Sequence, residues 1–322
     1  MKENKIIMEY FRLLSLNTLS DCNDLADIFL EHLWNIINIH GNSEVPTYAH
    51  KDAYMINQMM FTKLTHLKVL LKGVGYKGND GKNLNNVVDP TVVSTLVRNV
   101  FETSAMFNLI FRQTNSDEEL MIIYNLWSIA GLNYRQRFNS IITLDENKRK
   151  IDEEKKQIES LTNQILESKK YIGLTPKSKD KILSRFETKD YRIVFKGNEV
   201  KCYTSWQDLC EVMNLNKEIF ENIYTYFSLY SHPSQVAVFQ FEDMFRKHDE
   251  AFKSLTAVNL KYCFTFLSIF IADYVNLFPK TRDIFEALDI KKQVAIDSLN
   301  ILLRGEEFAI NDAKKIFEEQ IR

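Results

Sequence analysis

The segment from Asp89 to Arg112 sets the strongest limit on what this chain can fold into. Asp89-Pro90 is a helix start, with Asp as the cap and Pro at the first position, where its missing N–H removes no helical bond. Beyond it Val92, Val93, Leu96, Val97, Val100, Phe101, Phe107, Ile110 and Phe111 cover most of the helix circumference. A helix that is apolar nearly all round must be surrounded by other elements. The pattern predicts a central helix over about 90–112 with partners packed on several sides.

Those partners read as helices. Nine Gly and five Pro in 322 residues are too few for an all-β chain with many tight turns. The 22 Phe, 14 Tyr and 3 Trp supply large side chains to fill the gaps between helices. Ser20, Asp21 and Asp24 open a helix carrying Leu25, Ile28, Phe29, Leu33, Ile36 and Ile37, and Gly41 closes it. A second helix over 48–72 places Met55, Met59, Leu64, Leu67 and Leu71 on its apolar side, followed by a Gly-rich connector over 73–86. Ser116 to Glu119 starts another helix, and Thr175-Pro176 a short one. Strands over 191–195 and 200–203 around Lys196-Gly197-Asn198-Glu199 form a hairpin. A helix over 217–231 is stopped by Pro233, and further helices fill the chain to its end.

Between Asp145 and Lys170 seven acidic and seven basic residues alternate in blocks. Leu144, Ile151, Ile158, Ile165 and Ile172 recur there every seven residues. Only Leu161 takes the second seam position, so this is a narrow-striped charged helix rather than a full coiled-coil seam. Pairs such as Glu146 with Lys150 and Asp152 with Lys156 support it locally. The expectation is a mainly α protein: a helical bundle with a protruding charged helix and one small β-hairpin. Its parts would be an N-terminal helical part over 1–143, the arm over 144–173, and a C-terminal part over 174–322 that completes the bundle.

The net charge of −2 excludes a chain that is basic throughout and binds nucleic acid by bulk charge; a local groove remains open. Cys22, Cys202, Cys210 and Cys263 are scattered without a C-x-x-C, which predicts reduced thiols rather than zinc or disulfides. The first residues are charged and then amphipathic, unlike a secretory leader. The apolar run from Tyr262 to Ala272 is too short to span a bilayer. These features lead to the expectation of a cytoplasmic chain with no membrane partner, no metal and no cofactor. His248-Asp249 has the form of a metal-binding dyad, but it sits in a charged run that reads as a solvated helix end.

Two polar marks stand out. Arg98 and Glu102, at i and i+4, share one face of the central helix. Either they form a solvated ion pair, or Glu102 orients a partly buried Arg98 toward an anionic ligand. His232, in Ser231-His232-Pro233-Ser234, falls at a helix C-terminus. It either caps the last carbonyls or serves as a general acid or base beside a phosphate. Ser228, Tyr230 and Ser231 offer nearby hydroxyls as substrate contacts.

This combination resembles a family of bacterial all-helical proteins of uncharacterised activity, in which R-x-x-x-E and a downstream S-x-x-x-H recur. The matching residues are Arg98, Glu102, Ser228 and His232, and the resemblance covers roughly residues 21–241. That family is similar in turn to the HEPN superfamily, helical bundles that include ribonucleases of toxin and antiphage systems. The resemblance implies a site directed at RNA or a nucleotide. Arg98 would hold phosphate, Glu102 would orient Arg98, and His232 would act as general acid or base. HEPN nucleases carry Arg and His four to six residues apart on one helix. No Arg precedes His232 at that spacing, so Arg98 would have to arrive from another helix. The competing expectation is a non-enzymatic regulatory protein that dimerises or docks a partner through 145–170.

Overall fold

The computed structural model describes residues 12, 15–40, 45–247 and 249–320. Most of the amphipathic N-terminal segment, Gly41 and His248 lie outside the described residues. In chain order the main elements begin with α1 (Leu19–His40), α2 (Tyr48–Leu70), β1 (Val74–Lys77), β2 (Asn83–Val87) and α3 (Pro90–Phe107). Next come α4 (Asp117–Gln136), α5 (Asp145–Glu167), α6 (Pro176–Thr188), β3 (Ile193–Lys196) and β4 (Glu199–Cys202). The chain continues through α7 (Ile223–Ser231), α8 (Gln235–Lys247), α9 (Asp249–Leu277), α10 (Ile290–Arg304) and α11 (Ala313–Gln320). The protein is mainly α, with two small antiparallel hairpins, β1–β2 and β3–β4. The chain forms two compact units, residues 1–107 with 210–322, and residues 108–209. The boundary expected after residue 143 falls inside the second of these.

In the first unit α3 is the central helix its composition predicts, with Val93, Val97, Val100, Phe101, Ala105 and Phe107 buried. Its main partner is α9. The buried Ser104 donates its hydroxyl to the Phe266 carbonyl at 3.0 Å across this contact. Aromatic pairs fill the flanks: Phe101 with Phe266 at 4.9 Å between centroids, and Phe107 with Phe270 at 4.8 Å. The span Ala251–Leu277 is long and apolar enough to cross a membrane, and 72% of its most apolar window is buried inside the protein. Helix α1 also lies on α9, with Phe29 stacked on Phe264 at 5.6 Å. On α10, Arg304 donates to Asp273 of α9 at 3.0 Å with both side chains fully buried.

Some local expectations need correcting. The cap of α1 is Thr18 rather than Ser20. The Asp21 N–H donates to Thr18 Oγ1 at 3.1 Å, and the Asp21 carboxylate accepts from the Thr18 N–H at 3.0 Å. This is a reciprocal capping box. On α2, Met55 and Met59 face solvent, while Ala53, Ile56, Met60, Leu64 and Leu67 are buried. The Gly-rich connector is the β1–β2 hairpin, with Gly81 at φ 82° in its turn, where only a residue without Cβ fits at no steric cost. The helix expected over 217–231 is interrupted, and α7 starts afresh at Ile223.

In the second unit α5 packs along α4. The apolar stripe of this charged helix is covered there: Ile151 and Ile165 are buried, while Leu144 and Ile172, at its ends, are exposed. Polar contacts fix an antiparallel register. Arg135 pairs with Glu154 at 2.6 Å, Gln136 Nε2 donates to the Ile151 carbonyl at 3.2 Å, and Asn125 Nδ2 donates to Gln164 Oε1 at 3.3 Å. Glu146 pairs with Lys150 at 2.9 Å as its spacing predicts, whereas Asp152 takes Lys155, at 3.0 Å, in place of Lys156. The β3–β4 hairpin turns at Gly197, φ 58°, and is tied to α6 by the Val200 N–H donating to Ser178 Oγ at 3.0 Å.

Candidate functional site

The site lies wholly in the first unit, where α7 packs antiparallel along the flank of α3. Asp89 caps α3 by accepting from the Thr91 N–H at 2.8 Å, which fixes where its first turn begins. Two turns later Arg98 and Glu102 stand on the one stripe that the core does not claim. At the other helix, α7 ends at Ser231 and His232 turns to extended backbone, ψ 147°, its N–H donating to the Ser228 carbonyl at 3.2 Å. Pro233 forbids a further helical bond. Ser234 then accepts from the Ala237 N–H at 3.1 Å and opens α8. Chain stop and chain restart together hold His232 at a corner.

Arg98 occupies the centre of a closed network. Its Nε donates to Glu102 Oε1 at 2.9 Å. Its Nη2 donates to the Tyr224 hydroxyl, which in turn donates to the same Glu102 oxygen at 3.2 Å. The guanidinium carbon lies 4.6 Å from the Tyr224 ring centroid, within cation–π range. The remaining arm, Nη1, reaches His232 Nε2 at 3.3 Å. An arginine cannot accept, so Nε2 is the acceptor here and the imidazole proton sits on Nδ1. Burial, reinforced by the Glu102 carboxylate, pushes the Tyr224 phenol up, so it remains a neutral donor.

The side chains of Arg98 and Glu102 are 21% and 23% exposed. That separates them from a freely solvated surface pair: both side chains are partly buried. Lys63, on α2, donates to Thr103 Oγ1 at 2.8 Å; burial lowers its ammonium while nearby Glu102 raises it.

The network opens into a groove of about 650 Å³ lined by His66, Leu70, Thr95, Arg98, Asn99 and His232, among others. A second open cavity of about 390 Å³ shares Val92, Thr95, Ser231 and His232 with it and is lined also by Tyr230, Pro233 and Phe241. The structure thus brings together Arg98, Glu102 and His232, residues far apart in sequence. Ser231 lines both cavities. Tyr230 lines only the second and donates its hydroxyl to Gln240 Oε1 at 2.7 Å, and Ser228 lines neither. No group of three or more His, Cys, Asp or Glu side chains suited to a metal ion occurs among the described residues.

Two site residues were not anticipated. Tyr224 lies at i, i+4 and i+8 with Ser228 and His232, so a helical reading of α7 puts all three on one face. His66 lines the groove from α2, and its Nδ1 donates to the Thr62 carbonyl at 2.9 Å. Neither a known protein family, nor a curated protein, nor a solved structure matches this chain.

Proposed function

We propose that the groove binds a phosphodiester of RNA and that Arg98 and His232 act on it, in the manner of a ribonuclease of toxin or antiphage type. One observation carries this reading: a guanidinium and an imidazole, from helices 134 residues apart in sequence, stand 3.3 Å from each other at the mouth of an open groove. A guanidinium matches the non-bridging oxygens of a phosphate, and an imidazole can exchange a proton near neutrality. Glu102 and Tyr224 hold Arg98 from behind, which reduces the entropy lost when it engages the anion. The chain would need no cofactor for this chemistry. The motif resemblance to HEPN-like proteins points the same way, with Arg98 supplied from a separate helix.

The test is cleavage of a labelled RNA by the purified chain. Arg98→Ala and His232→Ala should each lower the rate by about 100-fold or more, the span usual for a positioned acid, base or anion clamp. Both variants should melt within a few degrees of the parent protein. Undiminished cleavage in both, or absence of RNA cleavage and binding by the parent chain, would overturn the assignment.

A further inference from the structure

The apolar stripe of α5 is taken up by α4, so the surface that this helix pair leaves uncovered lies at its tip. Helix α4 ends at Gln136 and α5 begins at Asp145, with a 3₁₀ turn over Asn139–Ile141 between them. The tip has a defined backbone. The Phe138 N–H donates to the Arg135 carbonyl at 3.0 Å, and the Ile141 N–H donates to the Phe138 carbonyl at 3.1 Å. Arg135 and Gln136 tie its base to Glu154 and Ile151 of α5. Yet no residue from 131 to 150 is buried. Tyr134, Phe138, Ile141 and Leu144 are 58%, 49%, 72% and 66% exposed. Single apolar side chains on a surface need no explanation, but four gathered at one turn do. The other end of the pair, where Glu119 meets Lys170 at 2.5 Å, lies about 25 Å away at 1.5 Å per helical residue.

Cations surround this apolar tip. Residues 131–150 hold Arg135, Arg137, Lys148, Arg149 and Lys150 against Asp145 and Glu146, in a chain whose net charge is −2. The Arg137 guanidinium lies 4.8 Å from the Tyr134 ring centroid. Lys148 and Lys150 each pair with a carboxylate, yet both side chains stay more than half exposed. A standard protein interface takes about 800 Å² from each partner, and these four side chains, at roughly 100 Å² apiece, present about half of that. A bilayer surface has no shape to match. An apolar tip enters the headgroup boundary, and basic side chains beside it meet the lipid phosphates. Arginine and lysine suit that level, because their apolar stems stay with the tip while the charged heads stay in water. We propose that the α4–α5 tip docks the protein on an anionic lipid bilayer, with Tyr134, Phe138, Ile141 and Leu144 in the interfacial layer. Such a contact needs no spanning helix. The tip belongs to the second unit and the groove to the first, so this contact does not depend on what the groove binds.

The experiment floats the full chain with vesicles of equal parts phosphatidylcholine and phosphatidylglycerol, and with phosphatidylcholine alone. The parent chain should float with the anionic vesicles and bind the neutral ones at least about tenfold more weakly. Phe138→Ser combined with Ile141→Ser should weaken anionic-vesicle binding by about tenfold or more. The melting temperature should stay within a few degrees, since both side chains are exposed. Arg137→Glu combined with Arg149→Glu should weaken binding to the anionic vesicles alone. A Phe138→Trp variant should shift its emission to the blue when anionic vesicles are added, beyond any change in the parent chain. A parent chain that stays off anionic vesicles overturns the proposal, as does flotation that survives loss of Phe138 and Ile141. A parent chain that stays off vesicles but sediments as a dimer, and whose Ser double variant is a monomer, would give the tip to a second copy instead.

Discussion

Two arginine–carboxylate pairs in the first unit have nearly the same length and opposite settings. Arg304 and Asp273 meet at 3.0 Å with side chains 0% and 2% exposed. Arg98 and Glu102 meet at 2.9 Å with roughly a fifth of each side chain in solvent. In the buried pair Nη1 serves both Asp273 and Asn300, the guanidinium lies 4.1 Å from the Phe308 ring centroid, and Nε and Nη2 find no hydrogen-bond partner among the described residues. In the groove pair each arm has a distinct role, and one reaches an imidazole at the open edge. Separation alone therefore says little about purpose. What distinguishes a site from a strut is a charged arm that a ligand could reach and claim.

The largest effect should come from the buried pair. Arg304→Ala removes one partner of a buried ion pair and should destabilise the protein by about 3–5 kcal/mol in urea unfolding. Arg98→Ala, whose partners can reach water, should cost about 1 kcal/mol or less. Equal losses would break the contrast between the two.

A smaller effect separates the histidines. His32 is buried edge-on to Phe285 at 5.6 Å, neither ring nitrogen has a hydrogen-bond partner among the described residues, and burial lowers its pKa to about 4. Its folded value lies below the unfolded one, so the unfolded chain binds the extra proton. The stability that neutral His32 supports is complete above about pH 6.5 and is lost as the pH falls toward 4. Over that window the loss is on the order of 3 kcal/mol. His32→Leu should flatten this acid limb in melting curves taken from pH 7 to 4; an unchanged slope would show that His32 is already hydrated in the fold.

The smallest expected change sharpens the description of the groove itself. Tyr224→Phe keeps the ring beside the guanidinium and deletes the hydroxyl that joins Arg98 to Glu102. Cleavage should fall about fivefold, near 1 kcal/mol, the usual worth of one such hydrogen bond, with little change in melting temperature. A loss as deep as that of Arg98→Ala would make the phenol part of the reacting set rather than a support.

Much of this was legible in the sequence where a single local rule governs. Asp89-Pro90 opens α3, Pro233 ends α7 at His232, and the seven-residue repeat marks the seam that α4 covers. Other features needed the fold. The Gly73–Asn86 stretch has no apolar alternation to announce strands, and its hairpin follows from the turn at Gly81 and the ends fixed by α2 and α3. Met55 and Met59 are apolar yet exposed, since neighbours rather than hydropathy decide which face α2 buries. His66 carried no signal at all: a lone exposed histidine acquires meaning only when a second helix forms a wall beside it. The Arg98–His232 approach is of the same kind, as spacing along the chain says nothing about it.

The second unit, residues 108–209, separates the strand of chain that supplies Arg98 from the one that supplies His232. A ribosome therefore releases the cation long before the imidazole, and α9, which packs on α3, emerges later still. Throughout that interval the growing polypeptide holds only one wall of the groove. The assembled groove is withheld until α7 and α9 have both been made, a delay set by the order of residues along the chain.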